Sequence, residues 1–385
     1  MIKLSEPFFF GNELSFLKKS LEDKWISSNG NIVKSFEKKL QRYTSGSYNL
    51  GVINCTAALQ LAVRLLNPKK DEEILVPSIT FAATINSIIY NNCKPVFFDC
   101  DDFLLLDKKK IYSFFEKNTY FKNGHSYNKK TKKKILAIIV VNTFGNLFDI
   151  DKNFSAFCKK RNIKIIEDAA ESLGSLNYDK QRHNKIDLSC YSFNGNKLIT
   201  SGGGGVLSLK NKKQHIKASY LASQAKNDAI NFIHNDVGYN FMLSNLHASI
   251  GLAQLVNIRK VLKKKKNINF AYKKKINKIS GLKILDSPER CSSNYWLNIL
   301  VIDSKKYGLS KKEIIKKFLN QGIETRSLWY PNHLQKPFNK FQSYQIHNSK
   351  TMFECCICLP SSYGLNNNQQ LKIVNLLENR FKTKR

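Results

Sequence analysis

Lys197 stands alone among amides, hydroxyls and glycines in "CYSFNGNKLITSGGGG" (Cys190 to Gly205), although the chain carries 63 lysines and arginines, most of them in runs. The four glycines that follow let backbone approach a bound group closely and permit positive φ. An amine kept apart from the charged runs at such a turn can be desolvated and its pKa lowered, as a Schiff-base lysine requires. By itself the stretch reads more simply as a loop lysine beside a flexible turn.

Two further stretches carry chemistry. In "IIEDAAESLGS" (Ile165 to Ser175), Glu167 and Asp168 end an apolar strand, at the edge where open α/β sheets hold their ligands. A carboxylate buried there is costly unless a cation meets it, whereas Asp168 acting as a helix N-cap would need none. In "INCTAALQLA" (Ile53 to Ala62) a strand turns into a helix with Thr56 as N-cap, leaving free amides at the positive helix end for a phosphate. Any α/β protein has several such junctions. The three together are the parts that hold pyridoxal phosphate: a helix-end phosphate site, a carboxylate to keep the ring nitrogen protonated, and an amine to bond and shuttle protons.

These residues need a scaffold. Leu14, Leu17, Leu21 and Trp25, then Val33, Phe36, Leu40 and Tyr43, recur at helical spacing. Strands and helices then alternate: "YNLGVIN", "TAALQLAVRLL", "EILVP", "FAATINSIIY", "KPVFFDCD", and later "ILAIIVVNTFG", "NFSAFCKKRN" and "IKIIEDAAES". This order predicts an α/β fold with a mostly parallel sheet between helices. The basic insert at 117–134 lacks apolar periodicity and reads as a mobile surface loop. Past Val256 come a long basic helix, the strand "YWLNILVID", a helix with a capping box at Ser310 and Glu313, and a last helix carrying Leu371, Val374 and Leu377 on one face. Residues 1–256 are therefore expected to form a large cofactor-binding domain and 257–385 a smaller α+β domain.

Composition narrows the class. The chain has 385 residues with 42% hydrophobic content, enough to bury a core. Its longest apolar run, Ile135 to Val141, is too short to cross a bilayer, and the N-terminus meets polar residues too early for a secretory signal. A cytoplasmic protein without membrane insertion is expected. The nine cysteines lack a second ligand pair beside "CCIC" (Cys355 to Cys358), so reduced thiols and no metal site are expected. The net charge of +34 sits in runs such as "KKTKKK" and "RKVLKKKKNINFAYKKK" without a nucleic-acid-reading motif. These runs read as solvated faces whose field draws in an anionic substrate, and no nucleic-acid partner is expected.

Over nearly its whole length the chain resembles nucleotide-sugar aminotransferases of the DegT/DnrJ/StrS kind, pyridoxal-phosphate enzymes of fold type I. The resemblance runs through "WISSNGNIVKSFE", "NCTAALQLA", "VPSITFAATINS", "EDAAESLGS", "YSFNGNKLITSGGGG", "DVGYNFMLSNLHASIGLAQL", "SNYWLN", "GIETRSLWYPNHLQ" and "LPSS". It implies that Lys197 is the Schiff-base lysine and that Asp168 pairs with the pyridine nitrogen. Backbone groups of Thr56 and Ala57, with the Ser192 hydroxyl, would hold the phosphate. Phe81 would stack on one ring face and Ala170 press the other. Glu171 takes the position that commonly offers Gln or His to the ring hydroxyl. Asn240 would reach the phosphate of a neighbouring subunit, making a homodimer with shared active sites. Ser27, Ser28, Arg326, Trp329 and His333 would contact sugar and diphosphate.

The chain departs from the family pattern at Cys55, where Gly is usual, at Met242, where Arg is common, and at Ser327, where Pro normally stands. The implied activity is transfer of the amino group of L-glutamate to the C4 ketone of a nucleotide-linked 4-keto-6-deoxy sugar for surface glycans. A UDP-linked 2-acetamido-2,6-dideoxy-4-keto sugar is the first expectation and a GDP-linked, perosamine-type substrate the second. A pyridoxal-dependent sugar dehydratase on this scaffold usually carries His in place of the lysine. The alternative outside enzymes is a regulator or nucleic-acid-binding protein of the same fold.

Overall fold

The protein is described from a computed structural model covering residues 1–179, 181–228 and 230–381. Its centre is an eight-stranded sheet in the spatial order Tyr48–Val52, Gly205–Leu209, Leu188–Ser192, Lys164–Asp168, Ile135–Val141, Glu73–Pro77, Lys94–Phe98 and Ser343–Tyr344. The middle strands run parallel, and the Tyr48, Gly205 and Leu188 strands pair antiparallel at one edge. Ile135–Val141 is buried along its whole length, as a strand covered by helices on both faces must be. The helices Cys55–Leu65, Ala82–Tyr90 and Lys212–Ala222 pack on one side, and Lys108–Asn118 and Lys152–Lys160 on the other. The expected α/β architecture is what the chain adopts.

The C-terminal part builds its own antiparallel sheet from Leu282–Ile284, Asn298–Ile302, Cys356–Leu359 and Arg326–Ser327. One residue, Asn257, separates the helix Asn245–Val256 from the 19-residue basic helix Ile258–Ile276, which leads into this region. Ser310 and Glu313 form the reciprocal capping box that their spacing predicts.

Several local expectations are corrected. The insert is a β-hairpin, Thr119–Lys122 paired with His125–Asn128 across a turn in which Asn123 and Gly124 both have positive φ. Asn-Gly between short strands is the sequence signal for this turn. Tyr120 and Tyr127 stack across the pair at 5.4 Å, and Asn128 donates to Glu73 at 2.8 Å, so the hairpin is pinned to the main sheet. The strand "YWLNILVID" is shorter, Asn298–Ile302, because Tyr295 takes positive φ and the Trp296 amide turns back onto Asn294 Oδ1. In the last helix Ile373, Val374 and Leu377 are buried while Leu371 lies at the surface. The first helix forms at Glu13–Glu22, but it packs through Glu13 and Ser20, whose hydroxyl meets Ser249 at 2.6 Å. Leu14 and Leu21 are left 75% and 60% exposed, and Trp25, past the helix end, is 51% exposed.

Candidate active site

The C-terminal ends of the parallel strands open into a cavity of about 440 Å³. Strand alternation decides which carboxylate enters it, since neighbouring side chains point to opposite faces. Asp168 faces the cavity. Glu167 faces away into a buried network with Arg182 at 2.5 Å, Asn142 at 2.7 Å and Ser189 at 2.7 Å. Burial opposes ionisation there, but the Arg182 charge and these donors hold the Glu167 carboxyl below its ordinary range.

Asp168 is 5% exposed, and among the described residues no cation lies within ion-pair distance of it. Its Oδ2 accepts from Thr84 Oγ1 at 2.7 Å and its Oδ1 from the Ala170 amide at 3.1 Å. Burial still outweighs these donors and raises its pKa. A carboxylate so placed is short of one positive partner, which is what a protonated ring nitrogen supplies.

Lys197 follows the Leu188–Ser192 strand, and its amine reaches the same cavity. Nζ lies 3.3 Å from Glu171 Oε1 and 4.1 Å from the centre of the Trp296 ring. Glu171 also accepts the Phe144 amide at 2.8 Å, and burial pushes its carboxyl up to about 7. Phe144 sits at φ +55°, a costly region for a bulky residue, and its ring lies nearly parallel to Trp329 at 4.6 Å and to Trp296 at 6.2 Å.

The turn that begins the Cys55–Leu65 helix forms the wall beside Asp168. Here the sequence expectation is corrected: the N-cap is Asn54, whose side chain accepts the Ala57 amide at 2.8 Å, and Thr56 lies in the first helical turn. Ala57 is buried, its amide is taken by Asn54, and it does not line the cavity, whereas Asn54, Cys55 and Thr56 do. The first-turn amides of a helix have no partner within it, so the turn can receive an anion. Gly205 makes the close approach possible: a Cβ there would lie 2.6 Å from Asn54 C and Cys55 N. Burial beside Asp168 raises the Cys55 thiol well above its usual range, so Cys55 is a small neutral wall group.

Of the residues picked from the sequence, Thr56, Phe81, Asp168, Ala170, Glu171, Ser192, Lys197, Arg326 and Trp329 line this cavity together. Arg326 pairs with Glu324 at 2.8 Å and stays largely solvated at the mouth. Five do not line it within one protomer: Ala57, Ser27, Ser28, His333 and Asn240. Ser27 and Ser28 lie before the second helix, with the Ser27 carbonyl held by the Asn245 amide. His333 is bonded through Nδ1 to Ser78 at 2.7 Å, and Asn240 is exposed and bridges to Ser223.

Sequence reasoning missed Leu4, Ser5, Thr84, Phe144, Asn196, Trp296 and Cys358, all lining residues. They come from segments far apart in the chain, and no local pattern marks them. The donor set fits pyridoxal phosphate: an amine for its aldehyde, an unpaired buried carboxylate for its ring nitrogen, and an anion-receiving helix turn with the Ser192 hydroxyl for its phosphate.

Comparison with known proteins agrees. Residues 11–378 match the family described as the DegT/DnrJ/EryC1/StrS aminotransferase family. EpsN of Bacillus subtilis, named as a pyridoxal phosphate-dependent aminotransferase, is 33% identical, with 99% of this chain and 96% of that protein covered. GDP-perosamine synthase of Escherichia coli O157:H7 is 29% identical over 97% of this chain and 96% of its own. Among solved structures, PseC of Helicobacter pylori, an aminotransferase of pseudoaminic acid biosynthesis, shares the fold at a TM-score of 0.87 with 20% identity, 99% of each chain being covered.

Proposed function

The chain belongs to the DegT/DnrJ/EryC1/StrS aminotransferase family, and from that premise we propose that it transfers the amino group of L-glutamate to the C4 ketone of a nucleotide-linked 4-keto-6-deoxy sugar. It is a sugar aminotransferase that uses pyridoxal phosphate. A UDP-linked 2-acetamido-2,6-dideoxy-4-keto-hexose is the substrate we favour. Support comes from a Campylobacter jejuni relative named UDP-4-amino-4,6-dideoxy-N-acetyl-beta-L-altrosamine transaminase, 28% identical over 95% of this chain. The second reading, a GDP-linked substrate, is supported by the GDP-perosamine synthases at 27–29% identity.

The observation that carries the reading is the convergence of Lys197, Asp168 and the Asn54–Thr56 turn on one cavity. When bound, pyridoxal phosphate supplies an aldehyde for covalent attachment and a ring that withdraws electrons from the reacting carbon. Thr56 and Ser192 hold its phosphate, and Asp168 keeps a proton on the ring nitrogen. Lys197 Nζ takes the proton from the donor's Cα and later returns one to the sugar's C4. Glu171, within hydrogen-bond reach of that amine, shares its proton. The aromatic wall of Phe144, Trp296 and Trp329 keeps water from the amine, and Arg326 at the mouth offers a planar fork to diphosphate oxygens.

A homodimer completes the site in this reading, with Asn240 and the Ser27–Ser28 segment serving the partner's cavity. The exposed apolar row Leu14, Leu21 and Trp25 supports such an interface. Nine free cysteines, eight of them buried, agree with a reducing cytoplasmic setting. No helix among the described residues is long and apolar enough to cross a membrane.

The test is spectroscopic and chemical. Purified protein should show a visible band that L-glutamate alone discharges, and Lys197→Ala should lack it. A panel of UDP-, GDP- and dTDP-linked 4-keto sugars should then give one preferred amino sugar by mass spectrometry. A band that persists with every amino donor would reject transamination.

A further inference from the structure

A second lysine is buried behind the site. Lys265, within the basic helix Ile258–Ile276, is 3% exposed, whereas its neighbours Lys263 and Lys266 face solvent. Its Nζ donates to the Trp296 carbonyl at 3.0 Å and to the Ser361 carbonyl, and among the described residues it has no carboxylate within ion-pair distance. An ammonium buried on carbonyls alone is costly, and a role in packing alone would be met by an apolar side chain of similar length.

Both carbonyls lead to Lys197. Trp296 places its ring 4.1 Å from the Lys197 amine and donates its indole Nε1 to the Asn196 carbonyl at 2.7 Å. Ser361 gives its amide to the Leu4 carbonyl at 2.8 Å, and the next residue, Ser5, donates its hydroxyl to the same Asn196 carbonyl at 2.8 Å. Two separate chains of bonds, one through the indole and one through the N-terminal segment, thus start at Lys265 and meet on the residue preceding Lys197. Lys265 and Lys197 also line one small space behind the cavity, together with Glu6 and Tyr363, the other titratable groups that face it.

We propose that Lys265 is a positioning residue of the active site, its ammonium fixing the Trp296 and Ser361 carbonyls and, through them, the indole against the Lys197 amine. This deepens the transamination reading and rests on it. Burial brings the Lys265 pKa down to about 7, so the charge on the clamp changes near neutral pH. Lys197 and Glu6 are the charged groups facing it from the neighbouring elements, and neither forms an ion pair with it.

The test compares Lys265→Met and Lys265→Arg with the wild type. In cofactor-free protein carrying Trp25→Phe and Trp329→Phe, Trp296 is the sole indole. Its emission should become more accessible to acrylamide in Lys265→Met and recover toward wild type in Lys265→Arg. In loaded protein, the pH midpoint of the visible band should move by about half a unit or more in Lys265→Met. The kcat should fall about tenfold with the KM for glutamate little changed. The melting temperature of Lys265→Met should change little, because a costly buried charge is gone while the Trp296 and Ser361 carbonyls lose its hydrogen bonds. Unchanged quenching and an unchanged band midpoint, with a lowered melting temperature, would make Lys265 a structural staple and overturn the proposal. Should Lys265→Met fail to fold, Lys265→Gln, which is polar but cannot carry the charge, decides through the same quenching and band readouts. A wild type without any visible band defeats the parent reading instead, and the quenching comparison in cofactor-free protein still decides where Trp296 is held.

Discussion

Thr84 donates its hydroxyl to Asp168 at 2.7 Å and receives that of Thr80 at 2.8 Å. The relay gives a buried carboxylate one fixed donor and orients it, while leaving it without a cation of its own. A hydrogen bond to a charged group contributes about 1.5–3 kcal/mol. Thr84→Val keeps the shape and removes the donor. Its affinity for pyridoxal phosphate, titrated by absorbance into cofactor-free protein, should fall about tenfold or more. Equal affinity in mutant and wild type would mean that the relay does not hold Asp168 in place.

Glu171 yields a pH prediction. Its carboxyl is pushed up to about 7 by burial, so between its ordinary range and 7 the folded protein holds a proton that the unfolded chain has released. Stability therefore declines as pH rises through that window, the reverse of the behaviour of a salt-bridged carboxylate. Glu171→Gln cannot titrate and should flatten this decline in cofactor-free protein, for a gain above pH 7 of up to about 3 kcal/mol. Denaturant melts at pH 5 and pH 8 check it; parallel pH profiles for the two proteins would count against it.

Gly205 is predicted to tolerate no side chain. The Cβ of Gly205→Ala would sit 2.6 Å from the Asn54–Cys55 backbone and push open the turn that begins the Cys55–Leu65 helix. Overpacking of this kind costs about 1–3 kcal/mol. Both a lower denaturation midpoint and weaker binding of inorganic phosphate to the cofactor-free protein are expected. Retention of both would show that the turn can relax.

Leu14 and Leu21 test the assembly. Seven residues apart on one helix, they share a face that is exposed in the protomer. Leu14→Asp/Leu21→Asp should leave the far-ultraviolet spectrum unchanged, halve the mass by light scattering and abolish transamination, since Asn240 would no longer reach a partner. A dimer that survives the double substitution places the interface elsewhere.

Much of the scaffold was legible in the residues. Alternating apolar strands and amphipathic helices dictated the parallel sheet, because strands covered on both faces must be apolar throughout. The Ser310–Glu313 cap was readable because capping chemistry is local. Lys197 and Asp168 could be chosen because the amine at a glycine turn, the strand-end carboxylate and the phosphate-ready helix turn occur together, although each alone has a plainer reading. The hairpin at 119–128 is marked in the sequence only by its Asn123-Gly124 turn, since its strands are too short and polar to show apolar alternation.

What the chain alone could not disclose is what packs against what. Nothing in the one-dimensional order ties Thr84 to Asp168, Phe144 to Glu171, or Lys265 to Trp296, since each pair is separated by 27 to 84 residues and brought together only by sheet order and loop path. Asn54 rather than Thr56 caps the first cofactor-facing helix, because the helix begins two residues earlier than a Thr56 cap would place it. The first helix shows the same division: its spacing announced a helix, but which face meets the core was set by Ser20, Glu13 and their partners in three dimensions. Local chemistry is written in neighbouring residues, whereas burial, and every shift in proton affinity that follows from it, belongs to the assembled fold.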